Sequence, residues 1–450
     1  MKIIFIKPNM GLVNGRPYID KGRMEPLTFA FLKGATPAEH ETVLYDDRYE
    51  LIPYDEPADI VAINTEIYTA RRAYEIAGEF RKRGILVIMG GCHTTMIPKE
   101  SLEHCDTVVI GDAEPVWQEI LDDVQSKHLK RIYRGSLGKS KGLGPSEKIW
   151  TTDYSIFEGK SYLPVRLAQF SRGCQNHCEY CATGAIYKRK SYHQPVHELI
   201  KELETCGRKL IFFVDDNIVA DKKAAKELFT ALIPLKIRWF SQGDISFAED
   251  PLFMQLMIKS GCVGMVVGFE SINYTNLKQM KKNCNLTYEN YDQLIEKTRN
   301  AGIFIWAAFL LGYDKETPES IKKTLDWALS KKFAFAAFNI SMPYPGTEYY
   351  TRMAKEKRLL FNGNWWLHDD YSFGASAIQP TLCSPEELSN ACLEARMSHS
   401  SIRAILSRSL DRKTHMKDIR NFITYFLYNP LFRDEMKKKH GMLLGYRGSA

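Results

Sequence analysis

Two stretches of alternating apolar runs and helical patterns constrain the fold of this 450-residue chain more than any other feature. In residues 1–125, short runs rich in Ile and Val are separated by segments with helical periodicity. The predicted strands cover residues 3–6, 42–45, 60–63, 85–89 and 108–110. Such alternation is typical of a parallel sheet with helices on both faces, where ligands bind beyond the carboxyl ends of the strands.

A second alternation begins near residue 163 and contains six further strand-like runs. They cover residues 165–170, 210–214, 238–240, 263–269, 304–311 and 336–340. Six strand–helix units predict an open, partial (β/α)6 barrel, related to the closed eight-unit barrel whose chemistry lies at the C-terminal ends of the strands. Polar residues that directly follow these strands are therefore candidates for a site.

These two stretches divide the chain into four predicted segments. They are an α/β domain over residues 1–125, a linker over 126–162, the partial barrel over 163–355, and an aromatic, basic and mainly helical region over 356–450. The linker is predicted because residues 126–145 are rich in Lys and Gly and have little apolar periodicity. No apolar run reaches the roughly 18 residues of a membrane span, and no secretory signal is recognisable, so a cytoplasmic protein is expected.

The net charge of +7 lies entirely in the C-terminal region. Residues 401–450 carry 11 Lys and Arg against 4 Asp and Glu, whereas residues 1–400 hold 50 of each kind. A solvated helix explains this surplus, but interspersed apolar side chains also suit peripheral contact with an anionic membrane surface or an acidic partner. These side chains are Phe422, Tyr425, Phe426, Leu427, Leu431 and Phe432. No recognised nucleic-acid-binding motif is present, so no nucleic-acid partner is predicted.

Three cysteines, Cys174, Cys178 and Cys181, follow the first strand of the second alternation. Spacings of four and three residues each make about one helical turn, so a loosely helical loop points all three sulfurs the same way. Iron–sulfur cubanes usually take four cysteines, and a set of three leaves one iron open for another ligand. The spacing therefore favours a 4Fe-4S cluster with one open iron.

The three cysteines could instead belong to a structural zinc site or a disulfide framework. A structural zinc site takes four ligands, usually as two spaced pairs, and the sequence has no second CxxC. His177 could be a fourth ligand, although its place between Cys174 and Cys178 would strain the loop. A disulfide framework is also disfavoured, since ten cysteines in 450 residues is an ordinary number.

The cysteine motif resembles the CxxxCxxC signature of the radical S-adenosylmethionine (SAM) superfamily, and Tyr180 stands where that family has an aromatic residue near the adenine of SAM. The resemblance implies that the open iron chelates the amino and carboxylate groups of SAM. An electron from the cluster, supplied by a reductant such as flavodoxin or ferredoxin, then cleaves SAM to methionine and a 5'-deoxyadenosyl radical.

Two strand ends of the first alternation carry glycine and acidic residues. The fourth predicted strand is followed by Gly90-Gly91-Cys92-His93, and the fifth by Gly111-Asp112-Ala113-Glu114. Paired glycines permit close approach of backbone to a ligand, and Glu114 begins the next helix, although tight turns and helix caps explain the same residues. Ahead of a radical SAM core, this order resembles the cobalamin-binding subgroup, in which an N-terminal Rossmann-like domain holds the corrinoid above the cluster. The likeness covers roughly residues 1–355.

This likeness implies a set of cobalamin contacts at the strand ends. They are Thr65, Glu66, Tyr68, Gly90, Gly91, His93, Gly111, Asp112 and Glu114. The DxHxxG motif that supplies a histidine to cobalt in many cobalamin proteins is absent, so the lower cobalt face is expected to be lined by protein or water. Thr65, Glu66 and Tyr68 are the candidates for that lining, whereas His93 fits a contact to the nucleotide tail or a structural histidine.

Four residues at strand ends of the partial barrel are candidates for SAM. Glu270 lies in a GFES run that resembles the ribose-contacting strand of the subgroup, and a carboxylate can accept both ribose hydroxyls. Asp215 or Asp216, after the second strand, could hold the SAM amino group, and Gln242 ends the third strand. Each acid could instead only cap the following helix.

Together these features predict a cobalamin-dependent radical SAM C-methyltransferase that acts on an unactivated carbon through the 5'-deoxyadenosyl radical and methylcobalamin. The alternative is a related radical reaction without methyl transfer, such as ring formation or C–C coupling. The substrate could be a small molecule, a lipid or a peptide. One further set, aromatic and closely spaced, could contact substrate or plug the open barrel. It comprises Trp365, Trp366, His368, Tyr371 and Phe373.

Overall fold

The computed structural model describes residues 1–135, 150–286 and 291–446, which form two compact units. The first unit comprises residues 1–163, 364–373 and 441–450, and the second comprises residues 164–363 and 374–440. Residues 136–149, which belong to the predicted linker, lie outside the described part of the chain.

A parallel sheet of six strands forms the centre of the first unit, in the order β4-β1-β5-β6-β7-β8. The strands of this unit are β1 Lys2–Lys7, β2 Gly11–Val13, β3 Arg16–Pro17, β4 Glu41–Asp46, β5 Ile60–Asn64, β6 Leu86–Gly90, β7 Thr107–Gly111 and β8 Ile132–Gly135. Its helices are α1 Leu27–Gly34, α2 Ala70–Lys82, α3 Cys92–Met96, α4 Pro98–His104 and α5 Glu114–Gln125. Residues 3–6 of β1 are fully buried, as expected for a central strand with helices on both faces.

The five strands predicted for the first unit are all present, and the sixth strand, β8, was missed. It pairs in parallel with β7, with Val108 opposite Ile132 and Gly111 opposite Gly135. The strand falls inside the segment predicted as a linker, so that prediction is wrong for residues 132–135. Four residues with alternating exposure and an arginine at the third position carry too short an apolar pattern to be recognised as a strand.

A second parallel sheet of six strands, in the order β16-β15-β14-β13-β12-β9, forms the centre of the second unit. The strands of this unit are β9 Arg166–Ala168, β10 Ser171–Gly173, β11 Ser191–His193, β12 Leu210–Phe213, β13 Arg238–Gly243, β14 Cys262–Glu270, β15 Phe304–Leu311 and β16 Phe335–Ile340. Strands that follow one another in the chain lie side by side, which is the arrangement of a partial (β/α)6 barrel and confirms the predicted fold class.

Helices connect the strands of the second unit and form its C-terminal part. They are α6 Ala182–Ile186, α7 Val196–Thr205, α8 Lys222–Leu232, α9 Pro251–Lys259, α10 Tyr274–Gln279, α11 Asn283–Leu286, α12 Tyr291–Asn300, α13 Pro318–Ser330, α14 Glu348–Lys355, α15 Pro385–His399, α16 Ile402–Ser409 and α17 Ile419–Lys439. Within the described ranges, no helix combines the length and the apolar character that crossing a bilayer requires.

The aromatic run at residues 365–373 belongs to the first unit. Trp365, Trp366 and Tyr371 are buried, and the Trp365 ring lies 5.1 Å from that of Tyr68. Residues 443–444 also return to this unit as β17 Leu443–Leu444, which pairs with β2. The domain boundaries predicted from the sequence did not anticipate these returns, because the partners are far away in the chain: Arg71 and Leu367 are 296 residues apart, and Glu100 and Trp366 are 266 residues apart.

Candidate functional site

The three motif cysteines lie on one loop between β10 and α6. Each of the three residues is half-buried, and Cys181 directly precedes the first residue of α6. Burial raises the pKa of the Cys178 thiol to about 12 and also raises that of Cys174, so iron has to displace their protons on binding. Among the described residues, no group of three or more histidine, cysteine or acidic side chains is arranged to hold a single metal ion. The cysteine ligands of a 4Fe-4S cluster bind different irons, so they lie further apart than the ligands of a single ion.

A hairpin formed by β10 and β11 brackets the cysteine loop. These strands pair in antiparallel fashion, with Ser171 opposite His193 and Gly173 opposite Ser191. Gly173 has φ +86°, and a Cβ there would lie 2.0 Å from the carbonyl oxygen of Lys190, so only glycine fits at this point. The hairpin therefore fixes where the cysteine loop leaves and rejoins the barrel.

Asp215 supports the chain just before the cysteine loop. Its carboxylate accepts hydrogen bonds from the backbone N–H of Phe170 at 3.0 Å and from the N–H and hydroxyl of Ser171, each at 2.5 Å. Asp215 has no exposed surface, and this burial raises its pKa to about 7 despite the three hydrogen bonds. The structure thus shows Asp215 as a support of the loop, and the predicted contact of Asp215 or Asp216 to the SAM amino group stays a prediction.

Asp216 holds the loop at two further points. One carboxylate oxygen accepts from the Gly173 N–H at 2.7 Å, and the other accepts from the Thr183 hydroxyl at 2.8 Å. It thereby ties the residue before Cys174 to the helix that follows Cys181. Neither Asp215 nor Asp216 caps the next helix, because Asp221 accepts from the first amides of α8.

Glu179, between Cys178 and Tyr180, anchors the middle of the cysteine loop. Its buried carboxylate lies 2.8 Å from Arg352 on α14, and its N–H donates to the carbonyl oxygen of Met280. Its own carbonyl oxygen accepts from the N–H of Tyr349. The loop is therefore fixed by side-chain or backbone contacts before, within and after the cysteine motif, and this pre-organised set of three thiols fits an iron–sulfur cluster.

The structure brings two of the predicted SAM residues together beside the cysteines. Tyr180 hydrogen-bonds to Glu270, which is 9% exposed at the end of β14 and has a left-handed φ of +64°. Gly268 makes room for this arrangement, since a Cβ there would lie 2.3 Å from the Glu270 carboxylate. Burial and the nearby Glu270 both raise the pKa of the Tyr180 hydroxyl, so it stays a neutral donor.

Lys282 and Cys284 belong to this group and were missed from the sequence. The Lys282 ammonium lies 3.2 Å from Glu270, and although burial lowers its pKa, Glu270 and Cys178 raise it above the ordinary value. Cys284 lies near the loop, with its sulfur 3.8 Å from the side-chain nitrogen of Asn176. Neither residue is part of a recognisable sequence motif. Both follow the short helix α10, and only the tertiary structure places them beside the cysteine loop. Gln242, the remaining SAM candidate, is half-buried on β13 and stays a prediction.

Lys282→Met is expected to lower the free energy of unfolding by about 3 kcal/mol, because it leaves the buried Glu270 carboxylate without its counter-charge. Lys281→Met is the matched control, since the exposed Lys281 pairs with Glu348 at the surface and its loss is expected to cost under about 1 kcal/mol. Chemical denaturation of both variants measures the difference. Equal stabilities would show that the pair contributes nothing.

In the first unit, Glu66 is the predicted cobalamin residue that is best exposed. It follows β5, its side chain is 53% exposed, and it lies 2.5 Å from the Lys7 ammonium, which lowers its pKa. Thr65 has no exposed surface in the structure, and its place in the lining of the corrinoid stays a prediction. Tyr68 is half-buried and packs on Trp365, so only part of its ring is available.

His93 is a buried structural histidine, which was one of the two roles predicted for it. It is 2% exposed, and its Nε2 atom lies 3.0 Å from both the Tyr74 hydroxyl and the Glu100 carboxylate. Trp366 also donates to Glu100, at 3.0 Å. These hydrogen bonds lower the pKa of Glu100 even though burial raises it. The predicted contact between His93 and a nucleotide tail stays a prediction.

Gly90 is the last residue of β6 and Gly111 is the last residue of β7, and the two glycines differ in how closely other atoms approach them. Gly111 has φ +87°, and a Cβ there would lie 2.2 Å from the carbonyl oxygen of Gly135 on β8. Gly90, in contrast, has open space beside it, since a Cβ would meet nothing closer than Val109 at 3.8 Å. Asp112 and Gly111 are half-buried, and Glu114 is the first residue of α5, as predicted.

Gly91→Ala is expected to destabilise the protein by about 2–3 kcal/mol, because Gly91 has φ +100° and a Cβ would lie 2.3 Å from the Asn64 side chain. Gly90→Ala, one residue earlier and with open space, is the control and is expected to change stability by less than about 1 kcal/mol. Thermal denaturation compares the two. Similar losses in both variants would contradict this distinction.

The chain is similar to known proteins over most of its length. The model of the Radical SAM superfamily matches residues 168–328. The chain is 30% identical over 371 residues to bacteriochlorophyllide d C-8(2)-methyltransferase of Chlorobaculum tepidum, covering 77% of this chain and 80% of that protein. It is 28% identical over 368 residues to bacteriochlorophyllide d C-12(1)-methyltransferase of the same organism, covering 79% of each.

One solved structure extends the comparison to both units. It is that of the radical S-adenosylmethionine methyltransferase TsrM from Kitasatospora setae with cobalamin and a [4Fe-4S] cluster bound. The match has a TM-score of 0.63 at 16% identity and covers 87% of this chain and 84% of that one. At this identity the match shows a shared fold.

Proposed function

Because this chain belongs to the radical SAM superfamily, as its 30% identity across 80% of one methyltransferase shows, we propose that it is a cobalamin-dependent C-methyltransferase acting on an unactivated carbon. The observation that carries this proposal is the similarity to two methyltransferases across about four fifths of each protein, with the supported three-cysteine loop inside the matched region. The chain is a radical SAM enzyme. Methyl transfer and cobalamin are the proposed part.

Cys174, Cys178 and Cys181 would hold the cluster by three irons. When bound, the cluster supplies the electron that cleaves SAM to the 5'-deoxyadenosyl radical, and cobalamin supplies the methyl group. Tyr180 is assigned to the adenine and Glu270 to the ribose hydroxyls. Lys282 pairs with Glu270 beside the cysteine loop, and a carboxylate at this position can accept from both hydroxyls.

The first unit would hold cobalamin at the ends of β5 and β6. Glu66 is exposed there, and Gly90, which has no side chain, would let a ligand approach the backbone closely. His93 is buried and engaged by Tyr74 and Glu100, so it is not positioned to coordinate cobalt. This supports cobalamin bound without a histidine from this part of the chain.

The two methyltransferases act, by their names, on bacteriochlorophyllide d, so a tetrapyrrole side chain is the first substrate class to test. A flavodoxin or ferredoxin is proposed as reductant. The cytoplasm is the proposed location, because a cluster held by thiolates requires a reducing compartment.

Anaerobic turnover with methyl-labelled SAM tests the function. Methyl transfer predicts labelled product together with 5'-deoxyadenosine when bacteriochlorophyllide d or a related tetrapyrrole is supplied. Formation of 5'-deoxyadenosine and a substrate-derived product without label would support the alternative, ring formation or C–C coupling. Cobalt analysis of the purified protein, by atomic absorption and visible spectroscopy, tests the cofactor separately.

A further inference from the structure

The C-terminal helices α16 and α17 expose many apolar side chains, and their buried faces carry polar residues beside Ile405 and Tyr425. Eight large apolar residues between positions 402 and 427 are exposed in the described chain. They are Ile402, Leu406, Leu410, Met416, Ile419, Phe422, Ile423 and Leu427. Eighteen large apolar residues are exposed among all the residues that the structure describes, so nearly half of them fall within 26 consecutive positions. Exposed apolar side chains concentrated in this way mark an interaction surface.

Helix α16 shows the reversal along one stripe. Ile402, Leu406 and Leu410, spaced by four residues, are 64%, 54% and 71% exposed. The opposite face buries Arg408, which is 1% exposed and donates to the backbone carbonyl oxygens of Phe333 and His399. An ordinary surface helix turns its apolar stripe to the core, so this helix is built to present that stripe outward.

Helix α17 repeats the arrangement. Asn421 and Asn429 are buried, and both side chains are hydrogen-bonded. Asn421 accepts from Arg238 at 2.8 Å. Asn429 donates to the carbonyl oxygen of Tyr425 at 2.9 Å. Ile419 and Leu427, in contrast, are 69% and 65% exposed. Because the buried amides are satisfied, the outward apolar side chains follow from the helix orientation and are not a packing defect.

The charges among these apolar side chains indicate what covers them. Five basic residues and a single acidic residue, Asp418, are exposed between positions 402 and 427. The basic residues are Arg403, Arg412, Lys413, Lys417 and Arg420. The other acid in this segment, Asp411, is buried and paired with Arg299. A second copy seated on this surface would bring like charges together, whereas an anionic lipid surface offers both apolar depth and opposite charge.

We propose that α16 and α17 form a peripheral docking surface for anionic phospholipid membranes, with the apolar side chains inserted at the headgroup boundary and the arginines against lipid phosphates. The surface lies apart from the cysteine loop in sequence and does not depend on the proposed reaction. It would bring the enzyme to apolar substrates dissolved in a membrane.

Vesicle flotation of the full-length protein tests the proposal. Wild-type protein is expected to float with vesicles in which phosphatidylglycerol replaces about a third of the phosphatidylcholine, and to bind pure phosphatidylcholine more weakly. The double variant Leu406→Gln, Leu427→Gln is expected to bind the mixed vesicles at least about tenfold more weakly. The matched control is Leu51→Gln, Leu252→Gln, which removes leucines that are 92% and 72% exposed elsewhere and is expected to bind like wild type.

Charge reversal supplies the second arm. The variant Arg403→Glu, Arg412→Glu, Arg420→Glu is expected to lose about 100-fold in binding to the mixed vesicles. Its control reverses the charge of three exposed lysines elsewhere, Lys223, Lys259 and Lys322, and is expected to retain most of the binding.

Equal binding by all variants would overturn the proposal. So would a wild-type dimer that the leucine variant converts to monomer, because a second copy would then cover the surface. SAM cleavage measured without vesicles is expected to be unchanged in all four variants, which separates this test from that of the proposed function.

Discussion

Cys178→Ala is expected to abolish SAM cleavage, with a loss of at least about 10³-fold in the rate of 5'-deoxyadenosine formation, because the electron for that step comes from the cluster alone. Cys178 is the middle ligand of the loop, so its loss leaves two thiols to hold the cluster. Anaerobically reconstituted wild-type protein is expected to hold about four irons per chain, and the variant far fewer.

Cys383→Ala is the matched control for Cys178→Ala. Cys383 is also half-buried and its thiol pKa is also raised by burial, but it lies outside the cysteine loop. This variant is expected to keep its iron and its activity. Iron analysis, the visible spectrum and the yield of 5'-deoxyadenosine are measured on both proteins. A Cys178→Ala protein with a full complement of iron and undiminished SAM cleavage would contradict the assignment of the three cysteines.

Asp215→Ala is expected to have the second largest effect, lowering the free energy of unfolding by about 5 kcal/mol. The change leaves the buried N–H groups of Phe170 and Ser171 without an acceptor, and it removes three hydrogen bonds to a carboxylate. Because these groups lie immediately before the cysteine loop, iron retention is expected to fall as well. Denaturant titration and iron analysis at pH 8, above the pKa of about 7, measure both effects.

Asp221→Ala is the control for Asp215→Ala, since Asp221 follows the same strand and also accepts two backbone hydrogen bonds, each at 3.0 Å. Its carboxylate is at the exposed N-terminus of α8, so its loss is expected to cost about 1 kcal/mol and leave the iron content unchanged. If Asp215→Ala lost no more stability and no more iron than Asp221→Ala, the supporting role of Asp215 would be wrong.

The sequence pattern predicted the barrel well because its strands lie in apolar runs that can be recognised locally. The run at residues 304–311 coincides with β15, and those at 210–214 and 238–240 begin where β12 and β13 begin. The pattern failed at β8, where four residues of mixed polarity become a strand only because β7 offers them a partner. Residues 365–373 were misplaced for a similar reason, since nothing local indicates that Trp366 reaches Glu100.

The candidate site shows the same division. The spacing of Cys174, Cys178 and Cys181 predicts the metal ligands, because the motif lies within eight residues of chain. The role of Asp215 could not be read in this way. It depends on the pairing of β12 with β9, in which Phe213 lies opposite Ala168. Two residues further along each strand, Asp215 therefore lies beside Phe170, which is 45 residues away in the chain. The pairing of Lys282 with Glu270 likewise depends on a turn of the chain that no motif marks.

By itself, the sequence determined the order of strands and helices, the three thiols and the basic C-terminal region, since all of these follow from local periodicity, spacing and composition. Only the tertiary structure decided that Asp215 supports the loop, that Thr65 and His93 are buried, and that α17 turns Asn421 and Asn429 inward. The physical reason is that burial and hydrogen-bond partners are set by which distant segments pack together. A carboxylate, a histidine or an amphipathic helix acquires its role from that packing.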